Sequence, residues 1–295
     1  MFFSKGAVIL ATLSLFTGEL LANGEQVYMA VSNNNDPRSW TTLNGGDPIL
    51  TSNVGMKGIR DPSLIMAPDR SKYYLISTDL KVNGIGWNNG YCYTCNGSRS
   101  FVIWESTDLI NWSGPSHREV APSNAGMAWA PDAIWHPGKQ QYMVFWTSKL
   151  DGKQELHNLR SFTPDFKTFS PAETWVDLGM DNTIALDRAA NKYYMISKNG
   201  PKDGIQQNVA DSVDGPWKLV AEEIGLDKLP AGEGPLIFQN NINPAKWHLW
   251  IDDYKNAGGG RYVPFETEDL AAGRWKASEG YKLPSNPRHG YVVSM

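Results

Sequence analysis

A chain of 295 residues with 41% hydrophobic and 20% charged side chains has the composition of an ordinary folded protein, which excludes disordered and collagen-like readings. Its net charge of -4 and the lack of any Lys/Arg run exclude a polyanion-binding stripe, so no nucleic-acid partner is expected. Twelve Trp, 12 Tyr and 10 Phe beside 28 Gly and 18 Pro favour short strands, tight turns and sugar-stacking surfaces over long helices.

The first segment, "MFFSKGAVILATLSLF", places Lys5 before an apolar run of about eleven residues, the length of a secretory-signal core and too short to span a membrane. Residues 1–22 are therefore expected to be a signal peptide, making the protein secreted and extracellular, with residues 23–295 as a single domain. The same residues also read as a buried first strand, "VILATLSLFTGE", and the two uses overlap. Cys92 and Cys95, the only cysteines, lie in the Gly- and Asn-rich "GYCYTCNG", where a loop-closing disulfide is expected. Two cysteines and five scattered His offer no zinc-site spacing.

Beyond the first segment the chain repeats itself. A polar residue, an aromatic and then alternating apolar residues recur as "EQVYMAVS", "SKYYLIST", "QQYMVFWTS", "NKYYMISK" and "AKWHLWID", each a half-buried strand. Ahead of four of them lies a short apolar strand opened by a carboxylate: Asp61 in "RDPSLIM", Asp132 in "APDAIWH", Asp181 in "MDNTIAL" and Glu233 in "EGPLIFQ". A third element follows each pair, "SNNNDPRSW", "ESTDLINWS", "TPDFKTFS", "DSVDGPWK" and "ETEDLAAGRW", with the Ser/Thr, Asp and aromatic of a turn between outer strands. Apart from the leader, the one helical turn expected lies near Ala221–Leu226.

Five such units predict an all-β, five-bladed β-propeller. A β-sandwich would not explain why a carboxylate returns at one place in successive repeats. In a propeller the first strand of each blade lines the axis, so residues opening those strands converge. The C-terminal "HGYVVSM" is expected to close the ring by pairing with the N-terminal strands, placing His289 at the position of Asp61.

Carboxyl groups crowded at one mouth cannot all ionise at their ordinary pKa, and the separation yields an acid and a base, the pair glycoside hydrolysis needs. Each residue also has a structural reading. Asp before Pro is a common turn former, Asp132 could cap a strand entry, and Arg60 could simply hold structure. Glu233 is bracketed by Gly232 and Gly234, which permit close approach of backbone or ligand.

"GIRDPSLI", "WAPDAIW", "MDNTIAL" and "GEGPLIF", in this order, resemble glycoside hydrolase family 43, five-bladed propeller enzymes acting on arabinan and arabinoxylan. "LNGGDPIL", "WESTDLINWS", "RYVPFETEDL" and "LPSNPRHG" extend the resemblance over residues 12–295. It implies an inverting mechanism with Asp61 as general base, Glu233 as general acid and Asp181 as the residue that tunes and orients the acid. Asp132 matches a structural position. His289 matches an axial histidine, a candidate ligand for a structural calcium, though no cofactor is required. Trp129, Arg288 and His289 are candidate sugar contacts. Asp181-Asn182 departs from the family's usual Asp-Pro or Asp-Ser.

The expected activity is release of α-L-arabinofuranosyl residues from plant cell-wall polysaccharide by a monomer with no membrane partner. β-Xylosidase, exo-galactanase and non-catalytic carbohydrate binding are the alternatives. The invertase-like propellers are set aside, because their Asp-Pro-Asn-Gly and Glu-Cys motifs do not occur.

Overall fold

The computed structural model describes residues 7–13, 25–255, 261–284 and 287–294. The chain opens with β1 (Ala7–Leu13), β2 (Val27–Ser32) and β3 (Trp40–Thr42). Four consecutive meanders follow. The first is β4 (Ile59–Met66), β5 (Tyr73–Asp79), β6 (Ser100–Ser106) and β7 (Ser116–Glu119); the second is β8 (Trp129–His136), β9 (Gln141–Lys149), β10 (Leu156–Thr163) and β11 (Glu173–Val176). The third is β12 (Met180–Asp187), β13 (Lys192–Asn199), β14 (Gly204–Ala210) and β15 (Lys218–Ile224), and the fourth β16 (Glu233–Gln239), β17 (Trp247–Asp252), β18 (Tyr262–Thr267) and β19 (Lys276–Ala277). β20 (Pro287–Ser294) then returns to pair with β1, giving a last sheet of order β20-β1-β2-β3. The result is an all-β propeller whose described strands form five four-stranded antiparallel sheets. The strands β4, β8, β12, β16 and β20 touch one another in a closed cycle around the axis.

Burial peaks at the second strands and falls toward the outer edge, and the sequence follows it. Second strands such as β5 and β9 are covered on both faces by neighbouring sheets and read as nearly unbroken apolar runs, YYLIST and YMVFWTS. The outermost strands are short and polar: β7 is SHRE with three exposed residues, which blunts an edge that would otherwise recruit other strands. A separate apolar cluster fills each junction between adjacent sheets. Trp104, Trp146 and Trp250 sit fully buried in three of them, where truncation of one ring to Ala would cost roughly 3–5 kcal/mol.

Two expectations change here, and a third segment takes one of the uses its sequence allowed. "EQVYMAVS" holds β2, the third strand of its sheet, whereas "SKYYLIST" and its other look-alikes hold second strands; the motif marks a two-sided buried strand, which either place can supply. Ala221 lies in β15 and pairs with Gln207, so the helical turn expected at Ala221–Leu226 is largely strand: pairing on β14 overrides a weak local preference. Ala7–Leu13 of the expected leader is a paired strand, joined to β2 through Val8–Val31 and to β20 through Val8–Val293. Ala7–Leu13 thus lies between β2 and β20 in its sheet, the strand use that the sequence allowed alongside a leader. Residues 1–6 and 14–22 of the expected leader lie outside the described residues.

Candidate active site

Each inner strand breaks its pairing near its start, and one residue there turns to positive φ: Asp61 (49°), Ala130 (49°), Asp181 (54°), Gly234 (47°) and His289 (39°). These are bulges, which insert an unpaired residue and re-aim its side chain. For a residue other than Gly, the left-handed conformation costs on the order of 1–3 kcal/mol, a strain that clusters where function holds it. The bulges therefore give the true equivalence. Asp61, Ala130, Asp181, Gly234 and His289 share one level of the axis, and His289 does stand at the position of Asp61. Glu233 lies one residue before its bulge and Asp132 two after, so the four carboxylates are not at one repeated place as the sequence suggested.

The upper level brings Asp61, Asp181, Glu233 and His289 together. His289 bridges the set: Nδ1 lies 2.8 Å from Asp61 Oδ1 and Nε2 lies 3.0 Å from Glu233 Oε1. Gly234 makes room for the ring. A Cβ added there would stand 2.6 Å from His289 Cδ2 and 2.7 Å from Cγ, closer than atoms tolerate. Thr78 Oγ1 donates to Asp61 Oδ2 at 2.8 Å, and the Gly234 amide donates to Asp181 Oδ2 at 3.1 Å. Lys198 Nζ reaches Glu233 Oε2 at 3.1 Å, and Arg288 donates to Glu233 Oε1 at 2.8 Å and to Asp252 Oδ2 at 2.7 Å.

These neighbours sort the protonation states. Burial alone would raise Asp61, but the charges of His289 and Arg60 and the bonds from His289 and Thr78 outweigh it and hold the carboxyl below its ordinary value, as a base requires. Burial raises Asp181, and the nearby Glu233 and Asp61 charges add to it. His289 is held protonated well above its ordinary range, because Glu233 and Asp61 outweigh its burial. Glu233 departs from expectation. Burial favours its acid form, yet His289, Lys198 and Arg288 together push it below the usual carboxylate range. The resting proton of this cluster therefore sits on His289 and not on Glu233. Asp252, buried beside Arg288 with Glu233 near, is raised to about 6.

Asp132 belongs to the next level down. Its Oδ1 accepts from Ser63 Oγ at 2.6 Å and its Oδ2 from Thr183 Oγ1 at 2.9 Å, the two residues at its own bulge-relative position, and burial raises it to about 6. It ties inner strands together and matches its structural reading. Asp61, Asp181 and His289 of the upper level and Asp132 of the lower, but not Glu233, line one axial pocket of ≈ 350 Å³, counted with the solvent it opens to. Asn182, the departure beside Asp181, lines it as well, and its amide has no partner among the described residues.

Asp181, Glu233 and His289 place ligand atoms within 4.8 Å of one another. Calcium takes six to eight oxygens, so this trio, two carboxylates and an imidazole that also faces Asp61, would fill only part of its coordination shell. Trp129 opens β8 and is half-buried, its ring centroid 6.1 Å from that of Trp87 at 70°. Arg288, expected at the sugar, is 6% exposed behind Glu233, its guanidinium committed to Glu233 and Asp252. Lys198, Asp252 and Thr78 were missed. They had a signal: "SKYYLIST", "NKYYMISK" and "AKWHLWID" end in Thr78, Lys198 and Asp252 at one offset, where the second strand comes level with the inner bulge.

A family model described as "Probable glycosyl hydrolase domain", of the glycosyl hydrolase 43-related group, matches residues 11–295. An α-L-arabinofuranosidase of Bifidobacterium longum is 32% identical over 199 residues, covering 60% of this chain and 18% of that protein, so the chain spans less than a fifth of that relative. Among solved structures, an endo-1,4-β-xylanase from Bacteroides thetaiotaomicron superposes with a TM-score of 0.61 at 13% identity, over 95% of this chain and 92% of the other. A thermostable family-43 glycoside hydrolase superposes with a TM-score of 0.52 at 18% identity, over 79% and 76%. These structural likenesses are of fold, and the family follows from the match along the chain: this protein belongs to the glycosyl hydrolase 43-related family.

Proposed function

We propose that the chain is an inverting, exo-acting α-L-arabinofuranosidase on a five-bladed propeller, removing arabinofuranosyl side groups from plant arabinan or arabinoxylan. One observation carries the mechanism: Asp61 and Glu233 face opposite nitrogens of the same imidazole. Carboxyl oxygens on either side of a ring lie roughly 7 Å apart, inside the window of about 6.5–9.5 Å that leaves room for water in an inverting pair. Asp61, ionised and aligned by Thr78 and His289, takes a proton from that water as it attacks the anomeric carbon. The departing oxygen takes a proton from Glu233.

His289 and Glu233 hold that proton as one titrating unit, with Nε2 3.0 Å from Oε1. Transfer from the imidazolium to Glu233 readies the acid and leaves a neutral His289 between the two carboxyls. Asp181, anchored on the Gly234 amide next to Glu233, keeps the acid's backbone in place. The arabinofuranosidase of B. longum supports the sugar assignment. The Cys92–Cys95 bridge suits an oxidising compartment outside the cytosol, in keeping with the expected extracellular location.

A panel of nitrophenyl α-L-arabinofuranoside, β-xyloside and β-galactoside tests the substrate, and proton NMR of the first-formed sugar tests inversion. Release from the xyloside or galactoside alone would replace the arabinofuranosidase reading with β-xylosidase or exo-galactanase. A retained anomer would remove Asp61 from the role of base.

A further inference from the structure

The connection between β5 and β6, residues 80–99, is longer than any other between named strands, and it leaves the sheet at the end of the axis where Asp61 stands. It exposes three large apolar side chains in one short stretch: Ile85 at 53%, Trp87 at 42% and Tyr91 at 45%. The other large apolar side chains exposed among the described residues, Ile110, Leu219 and Ile242, lie apart, in the β6–β7 connection, in β15 and in the β16–β17 connection.

The aromatic group is built rather than loose. Tyr93, 5% exposed, lies edge-on to both Trp87 (5.4 Å) and Tyr91 (5.0 Å), and it packs with Leu80 and Val82 in a small core of its own that Trp129 flanks. Its hydroxyl accepts from Asn89 Nδ2 at 2.8 Å, the Tyr91 hydroxyl donates to the Asn96 carbonyl, and Cys92–Cys95 closes the turn. Buried Glu25 accepts from the Val82 and Asn83 amides at 2.8 and 2.9 Å and pairs with Arg60 at 2.9 Å. Arg60 in turn lies 5.4 Å over the Trp87 ring. The platform is thus tied through one guanidinium to the residue preceding Asp61, and Trp129 continues it toward the pocket. Exposed rings held in fixed positions bind without the entropic cost of ordering them.

Residues 82–98 contain no charged side chain and four asparagines, Asn83, Asn88, Asn89 and Asn96. Flat rings beside neutral amides suit an uncharged sugar, which offers C–H faces to the rings and hydroxyls to the amides, and the one cation over the platform, Arg60 on Trp87, is paired with Glu25. A pyranose presents a broad, flat C–H face, whereas a furanose is puckered. We propose that residues 80–99 form a stacking subsite for the pyranose main chain of the polysaccharide whose side group enters the axial pocket. The inference rests on the glycosidase reading above and adds the chain-binding surface to it.

The test uses the full chain carrying Asp61→Asn, titrated calorimetrically with xylohexaose and with linear arabinohexaose. Xylohexaose is expected to bind at least fivefold more tightly. Trp87→Leu and Tyr91→Ala, added singly, should each weaken it about tenfold, while Trp87→Phe, which keeps a ring, should stay within threefold of the parent. Thermal melts of each variant separate lost binding from lost folding. In the active protein, Trp87→Leu should lower the ratio of kcat/KM on arabinoxylan to that on the nitrophenyl arabinofuranoside about tenfold. Equal binding of the two hexaoses, parental affinity in folded Trp87→Leu, or an unchanged ratio would overturn the proposal. Absence of arabinofuranosidase activity in the protein with Asp61 unchanged, with ring-dependent xylohexaose binding intact in the Asp61→Asn chain, would instead overturn the arabinofuranosidase reading and leave the subsite standing.

Discussion

The two levels of the propeller axis use the same scaffold for opposite ends. At the bulge level, Asp61, Asp181 and His289 sit on strained backbone with Glu233 beside them, and every carboxyl faces a charge. At the level below, Ser63, Asp132 and Thr183 sit on regular strand, and Asp132 faces two hydroxyls. Charged partners tune and relay protons, whereas hydroxyl partners satisfy a buried group and fasten neighbouring strands. Two carboxylates of similar sequence setting, Asp61 and Asp132, therefore differ because one occupies the bulge and the other does not.

Substitutions should separate the levels. Asp61→Asn and Glu233→Gln are each expected to lower kcat by 10³-fold or more with near-normal melting. Glu233→Gln should lose least on substrates with good leaving groups, since those need least protonation; equal loss on good and poor leaving groups would deny Glu233 the acid role. Asp132→Asn should keep kcat within about tenfold, and a loss matching that of Asp61→Asn would erase the distinction between levels.

Gly234→Ala comes next in size. Its Cβ would force His289 aside, uncoupling acid from base, and roughly 10²-fold lower kcat/KM is expected with Asp61 and Glu233 intact. Wild-type kcat/KM in a folded Gly234→Ala protein would remove His289 from the relay. Lys198→Met tests the electrostatics. Removing a cation beside Glu233 raises the proton affinity of the Glu233–His289 unit, so the alkaline limb of the kcat/KM profile should move to higher pH. A limb that stays put or moves to lower pH would show that Lys198 does not tune the acid.

The smallest effect is on stability. Asp132 is raised by burial from an ordinary 3.8 to about 6, so between these values the folded chain holds a proton that the unfolded chain has lost. Its contribution therefore falls as pH rises through that window and is lowest above about 6. Asp252 adds a slope of the same sign. Asp132→Asn should flatten the decline of Tm between pH 4 and 6 without abolishing it, and an unchanged slope would mean that Asp132 is not titrating there.

The sequence determined a great deal. Four of the five apolar runs named second strands, and EQVYMAVS a third strand, because both faces of those strands are buried, and the Ser/Thr–Asp–aromatic turns fell between third and fourth strands in every sheet. Asp61, Asp181 and Glu233 were legible as a converging set, and His289 as the counterpart of Asp61, because repetition carries the axis in one dimension. The tertiary structure alone decided their exact level. Bulges shift pairing by one residue, and nothing in the local letters tells that Glu233 precedes its bulge while Asp132 follows. It alone decided that Lys198 and Arg288 converge on Glu233 and move the resting proton to His289, since that charge balance depends on strands far apart in the chain. It also placed Ala7–Leu13 between β2 and β20, because the pairing partners of that run lie far from it in the chain and leave no mark in its own letters.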